Sequence, residues 1–135
     1  MDVPTKVANK KAYWAYKQVN EYVQKATKEQ KKNFRSYVKR LPSLMQDNGM
    51  ANAIAFVFSK RKSDDRFDAW NYLYNILLEW LRDYYKMVFV KDNDLMKTVL
   101  ELNSFEYKFV YDELISILNW LRRFAEGLIA DEEKS

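Results

Sequence analysis

Residues 104–128 read SFEYKFVYDELISILNWLRRFAEGL, and within them Tyr107, Val110, Leu114, Ile117, Leu121, Phe124 and Leu128 recur every three or four residues. Side chains at that spacing stack along one side of a 3.6-residue helix. The stretch therefore predicts a long amphipathic helix, with Ser104 as its N-cap. Working back along the chain, Asp94 to Glu101 suits a short helix. From Phe67 the positions Trp70, Tyr74, Leu77, Leu81 and Tyr84 keep the same spacing, with Leu73 and Trp80 widening the face. That helix reaches Val88, about 33 Å at 1.5 Å per residue, and Ser63-Asp64-Asp65 reads as its capped, acidic start. Phe89-Val90 fits either an extension of this helix or a short extended piece.

The first half carries the same period. Helix 1 is expected from about Pro4 to Ala26, with Ala8, Ala12, Ala15, Val19, Tyr22 and Ala26 as its buried stripe. Thr27 is the expected N-cap of helix 2, where Phe34, Val38 and Leu41 face inward. Pro42 lacks an amide proton, so helix 2 is expected to stop near Leu41 and a short turn to restart at Pro42. Asn48-Gly49 then ends that turn through a positive-φ glycine. Met50 to Ser59 forms a short helix, apolar all round and so expected to be central, closed by Lys60-Arg61-Lys62 at its negative dipole end.

Composition agrees. The 135 residues are 48% hydrophobic but hold only 2 Gly and 2 Pro, too few turn formers for a many-stranded sandwich or barrel. The expectation is an all-α fold, one domain over residues 1–135, a single bundle of six or seven helices. Cys and His are both absent. There is then no disulfide framework, no thiolate or imidazole zinc site, and no Cys-His or Ser-His-Asp nucleophile. The longest apolar run, Met50 to Phe58, is too short to span a bilayer, and the first residues lack the apolar core of a secretion signal. A cytoplasmic protein without a membrane role is expected.

Neither remaining acid cluster makes a convincing centre. Asp64, Asp65 and Asp68 are what a helix N-terminus favours. Asp92-Asn93-Asp94 opens like a calcium loop, but Lys97 stands where Gly is needed and Asn103 where Glu is needed. No catalytic residue, metal site or cofactor is expected.

Charge is more informative. Residues 1–62 hold 14 Lys/Arg against 4 Asp/Glu, a net of +10, and the remaining 9 basic and 15 acidic residues give −6. Such a division suits a polyanion on one side and a basic partner on the other, or simple neutralisation within one fold. Lys6, Lys10, Tyr13 and Lys17 lie opposite the buried stripe of helix 1. Lys28, Lys31, Lys32, Arg35 and Lys39 occupy much of helix 2. Cations repeated every third or fourth residue can follow a phosphate backbone without reading bases, and Tyr13 between Lys10 and Lys17 is the best base-stacking candidate. Trp70, Trp80 and Trp120 lie on or beside apolar stripes and are expected in the core. The candidate RNA-binding set is Lys6, Lys10, Tyr13, Lys17, Lys31, Arg35 and Lys39.

The stretch FRSYVKRLPSLMQDNGMANAIAF, Phe34 to Phe56, resembles the small subunit of the type III-B CRISPR effector, the Cmr complex. The resemblance rests on Tyr37, Leu41, Pro42, Asn48, Gly49, Ala53, Ala55 and Phe56. Near the end, Trp120, Leu121, Arg123, Phe124 and Ala125 in ILNWLRRFAEGL are similar to the family's closing helix. Ser59 to Asn103 has no counterpart. The resemblance implies a non-catalytic, all-helical subunit whose copies stack into a short filament. Its implied partners are further copies of itself, the guide-binding backbone subunit, the large polymerase-like subunit, guide RNA and target RNA. A type III-A small subunit and a stand-alone helical single-stranded RNA-binding protein are the alternatives.

Overall fold

The structure, a computed structural model, describes residues 7–62, 64–84 and 90–131. Six α-helices and one π-helical turn occur among them: α1 (Val7–Lys25), α2 (Lys28–Asn48), α3 (Met50–Lys60), α4 (Ala69–Glu79) running into the π turn (Trp80–Tyr84), α5 (Leu95–Leu100) and α6 (Ser104–Leu128). The expected helix start at Pro4, the cap residue Ser63, and Val88 and Phe89 lie outside the described residues.

The long stripe of α6 forms the spine. Val110, Leu114, Ile117, Leu121 and Ala125 are fully buried, and α6 packs against both α1 and α2, while α3 packs on α2, α4 and α5. One contiguous core joins Val19 and Tyr22 of α1, Phe34 and Val38 of α2, Ile54 and Val57 of α3, and Leu73 and Leu77 of α4. Each such side chain contributes roughly 1.5–3 kcal/mol by leaving water. The tryptophans follow suit. Trp14 and Trp80 pair in the core at 4.9 Å, Trp70 lies 3.6 Å from the ring of Tyr37, stacked, and half-buried Trp120 packs against the core's rim.

The all-α expectation holds, with four local corrections. First, α2 does not stop at Leu41: it continues through Pro42 to Asn48. Leu41, Pro42 and Met45 are all buried, so one apolar face spans the proline. That burial offsets the roughly 3 kcal/mol a helix-interior proline costs. Second, α3 is not apolar all round in its surroundings. Met50, Ala53, Ile54 and Val57 face the core, whereas Asn52, Ala55 and Phe58 are exposed. Third, α4 starts at Ala69, capped by the Asp68 carboxylate, which accepts from the Asn71 amide at 3.2 Å. Asp65 instead braces the preceding turn, accepting from Phe67 N at 2.9 Å and from Gln30 Nε2 at 2.7 Å. Fourth, the cap of α6 is Asn103, one residue before Ser104, in a reciprocal capping box with Glu106.

Other expectations stand. Thr27 caps α2 in a capping box with Gln30, and Asp94 caps α5. Gly49 has φ +86 and joins α2 to α3.

Candidate nucleic-acid interface

Helix geometry puts Lys10, Tyr13 and Lys17 on one flank of α1, away from Trp14, Ala15, Val19 and Tyr22. Lys10 and Lys17 are exposed and Tyr13 half-buried, and the Lys17 ammonium lies 5.7 Å from the centre of the Tyr13 ring. Cation and ring thus form a cation–π pair on that flank. Lys6 lies outside the described residues.

On α2, Lys31, Arg35 and Lys39 share one flank, and that flank looks toward the C-terminal end of α6. A cavity of about 540 Å³ is lined by Lys28, Lys31 and Lys32 and by residues 128–131. A neighbouring one of about 260 Å³ brings Arg35 and Lys39 beside Ala130 and Asp131. Basic side chains there meet the negative end of the α6 dipole. Arg35 is committed further: its Nη1 lies 3.5 Å from Asp131 Oδ2, both side chains half-buried, and its buried Nε has no hydrogen-bond partner. The candidate residues therefore form two groups on two helices, with α6 packed against both.

Lys11 is the cation that sequence reading passed over. Its Nζ donates to Glu113 Oε1 and to Ser116 Oγ, both at 3.0 Å. Glu113 also accepts from the Trp80 indole N–H at 2.8 Å. This buried network locks α1, α6 and the π turn together. The signal was present in the periodicity, since Lys11 lies four residues before Ala15 and Glu113 three after Val110, in phase with the two stripes. With Arg35–Asp131, it shows that part of the charge asymmetry is neutralised inside the fold.

Several cations have no such partner. Among the described residues, none of Lys10, Lys17, Lys31 and Lys39 forms an ion pair with a carboxylate. The residues that carry the family resemblance are mostly architectural by comparison: Tyr37 and Phe56 pack on Trp70, and Gly49 turns the chain between α2 and α3.

The clustered carboxylates have structural work. Asp68 caps α4. Asp92 pairs with Lys97, the residue that breaks the calcium-loop pattern. Glu79 lines a cavity of about 310 Å³ between α1 and α4 with Gln18, Glu21, Arg66 and Arg82, and burial raises its carboxyl above the ordinary range.

Known proteins were compared with this chain. The family model described as CRISPR-associated protein (Cas_Cmr5) matches residues 7–128. A solved structure, a CRISPR-associated Cmr5 family protein from Thermus thermophilus, is 27% identical, with a TM-score of 0.74, over 93% of this chain and 100% of that one. A helical fold matched over nearly its whole length, with basic outer faces, places the molecule in the class of CRISPR-associated helical subunits. The chain belongs to the Cmr5 family, the small subunit of the type III-B Cmr complex. No helix among the described residues is long and apolar enough to cross a membrane.

Proposed function

We propose that this chain acts in the cytoplasm as a non-catalytic, single-domain small subunit of a type III-B effector, holding guide and target RNA through the basic flanks of α1 and α2. Copies stack on one another beside the guide-binding backbone subunit and the large polymerase-like subunit, and a region of +10 meeting a region of −6 on the next copy is a head-to-tail contact that propagates without closing. The observation that carries the reading is the set of cations without carboxylate partners, Lys10, Lys17, Lys31 and Lys39, in a chain of the Cmr5 family. Lysines that neutralise phosphates release counterions and bind without regard to sequence. The absence of His and Cys, with Asp65 and Asp68 spent on backbone amides, supports a structural role.

The test is capture of the tagged chain from its native cells, with sequencing of the RNA that comes with it. Guide RNA bearing a short repeat-derived tag, together with the large and backbone subunits, is the expected result. Recovery of unrelated transcripts with no partner subunit contradicts it.

A further inference from the structure

At the end of α3 a third basic group has a geometry unlike the other two. The Arg61 guanidinium carbon lies 4.2 Å from the centre of the Phe58 ring and 4.2 Å from that of Tyr74. The two rings are 6.0 Å apart and inclined at 52°, so the guanidinium fills the wedge between them. Tyr74 is the fixed side of the wedge. It is buried, its hydroxyl donates to Asp94 Oδ1 at 2.5 Å, and it accepts from Met96 N at 2.9 Å. Phe58 is the open side, 41% exposed.

The backbone beside the wedge is held as well. Asn71, buried on α4, accepts from Lys62 N at 3.0 Å and donates to the carbonyls of Lys62 and Asp65. One amide side chain thus splints the segment after α3. A cavity of about 370 Å³ is lined by Phe58, Arg61, Lys62, Asn71 and Asn75, at the low end of the ~300–1,000 Å³ range of small-ligand sites. Asn75, one turn beyond Asn71, is exposed, and its side chain makes no hydrogen bond among the described residues.

What distinguishes this group is how little of it is used. Arg61 gives only its Nε, to the Phe58 carbonyl at 3.3 Å, and no carboxylate pairs with Lys60, Arg61 or Lys62 among the described residues. Arg35, by contrast, pairs its guanidinium with Asp131. Here an exposed ring, a flat cation with its terminal nitrogens unspent, one further cation, Lys62, and an uncommitted amide share one cavity. Bases stack on exposed rings, a phosphate takes the lysine, and an amide meets a base edge.

We propose that the exposed Phe58 ring, backed by the Arg61 guanidinium and Tyr74, is a nucleobase-stacking platform that holds one unpaired nucleotide of single-stranded RNA. It rests on the reading that this protein meets RNA, but uses α3 and α4 in place of the α1 and α2 flanks.

The test compares the full chain with Phe58→Ala, Phe58→Tyr and Arg61→Lys, using a fluorescent single-stranded RNA and an abasic strand of equal length and charge. Phe58→Ala is expected to weaken the base-bearing strand about 10-fold, the effect of losing one stacked base, and to leave the abasic strand unchanged. Phe58→Tyr restores binding, and Arg61→Lys, which keeps the charge but not the plane, reproduces part of the loss. Equal binding of the base-bearing strand by Phe58→Ala and wild type overturns the proposal. So does equal loss on both strands. The Lys10→Glu, Lys17→Glu, Lys39→Glu variant separates the two readings: it weakens both strands alike if the α1 and α2 flanks bind phosphate, whatever Phe58→Ala does. A wild-type chain that binds neither strand overturns the Phe58 site, while the α1 and α2 flanks are judged in the assembled complex.

Discussion

The hydroxyl of Tyr107 accepts a hydrogen bond from the backbone N–H of Met50 at 2.9 Å, across 57 positions of sequence. Helix α3 begins after Gly49, which has no side chain to cap it, and Ala51 N also points at the same oxygen at 3.4 Å. A phenol from α6 thus does for α3 what a serine or aspartate does at an ordinary helix start.

Tyr107→Phe should remove that cap with little change in volume. A loss of about 1 kcal/mol is expected, as for other N-cap deletions, read as a lower urea midpoint with unchanged helicity. Gly49→Val should cost more, about 2–3 kcal/mol, because φ +86 with ψ 156 is a region essentially reserved for glycine. A Gly49→Val protein as stable as wild type contradicts the turn as described.

Lys11 and Glu113 should show strong coupling. Their side chains are 13% and 9% exposed, and removing one partner leaves the other buried without its counter-charge. Lys11→Met alone should cost roughly 3–5 kcal/mol, whereas Lys11→Met with Glu113→Gln should cost clearly less than the single change. Additive losses in a double-mutant cycle contradict a shared network.

Alkaline pH should unfold the protein in a definite window. Burial raises the phenols of Tyr22, Tyr72 and Tyr74, with added contributions from Asp68, Glu21 and the Asp94 hydrogen bond respectively, and Tyr74 is pushed up to about 12. In the unfolded chain tyrosines ionise near pH 10, so the preference for the neutral form is complete below about pH 10. It is lost as pH rises from there through the folded values, at up to about 1.4 kcal/mol per unit for each ring. Urea midpoints should fall steeply above pH 10, with late-titrating phenolate absorbance appearing together with unfolding. Simple titration of every tyrosine near pH 10 in a folded protein contradicts this burial.

Asp131 should restrain RNA binding through Arg35. Asp131→Asn releases a guanidinium held at 3.5 Å, so affinity for single-stranded RNA should rise about 2-fold at ~0.1 M salt. The gain should fade by ~0.5 M, where the Debye length is near 4 Å. Identical affinity of variant and wild type at low salt shows that Arg35 has no reach to RNA.

The apolar stripes of α1, α2, α4 and α6 were legible because burial and the 3.6-residue period leave the same mark on the chain. Pro42 misled for a physical reason. Proline's rule concerns local hydrogen bonding, and the burial of Leu41, Pro42 and Met45 against distant helices overrides it. Caps were displaced wherever two cap-forming residues stood close together, as with Asn103 beside Ser104 and Asp68 after Asp65. At the candidate interface, the outward placement of Lys10 and Lys17 followed from periodicity. The pairing of Arg35 with Asp131 did not, since it joins residues nearly a hundred positions apart. The Phe58–Arg61–Tyr74 wedge was hidden for the same reason: Lys60-Arg61-Lys62 reads as a helix-end charge cluster until α4 supplies the second ring.

The central claim is that the uncompensated lysines of α1 and α2 neutralise RNA phosphates in the assembled complex. Its most direct measurement is target RNA affinity against salt for a reconstituted complex carrying Lys10→Glu, Lys17→Glu, Lys31→Glu and Lys39→Glu. Wild type should give a logarithmic slope containing about −3 from these four contacts, so that tripling salt costs roughly 20-fold. The variant should assemble, keep its helicity, bind at least ~10-fold more weakly at ~0.1 M salt and lose that part of the slope. A complex that assembles normally and binds target as tightly as wild type, with the same slope, contradicts the account.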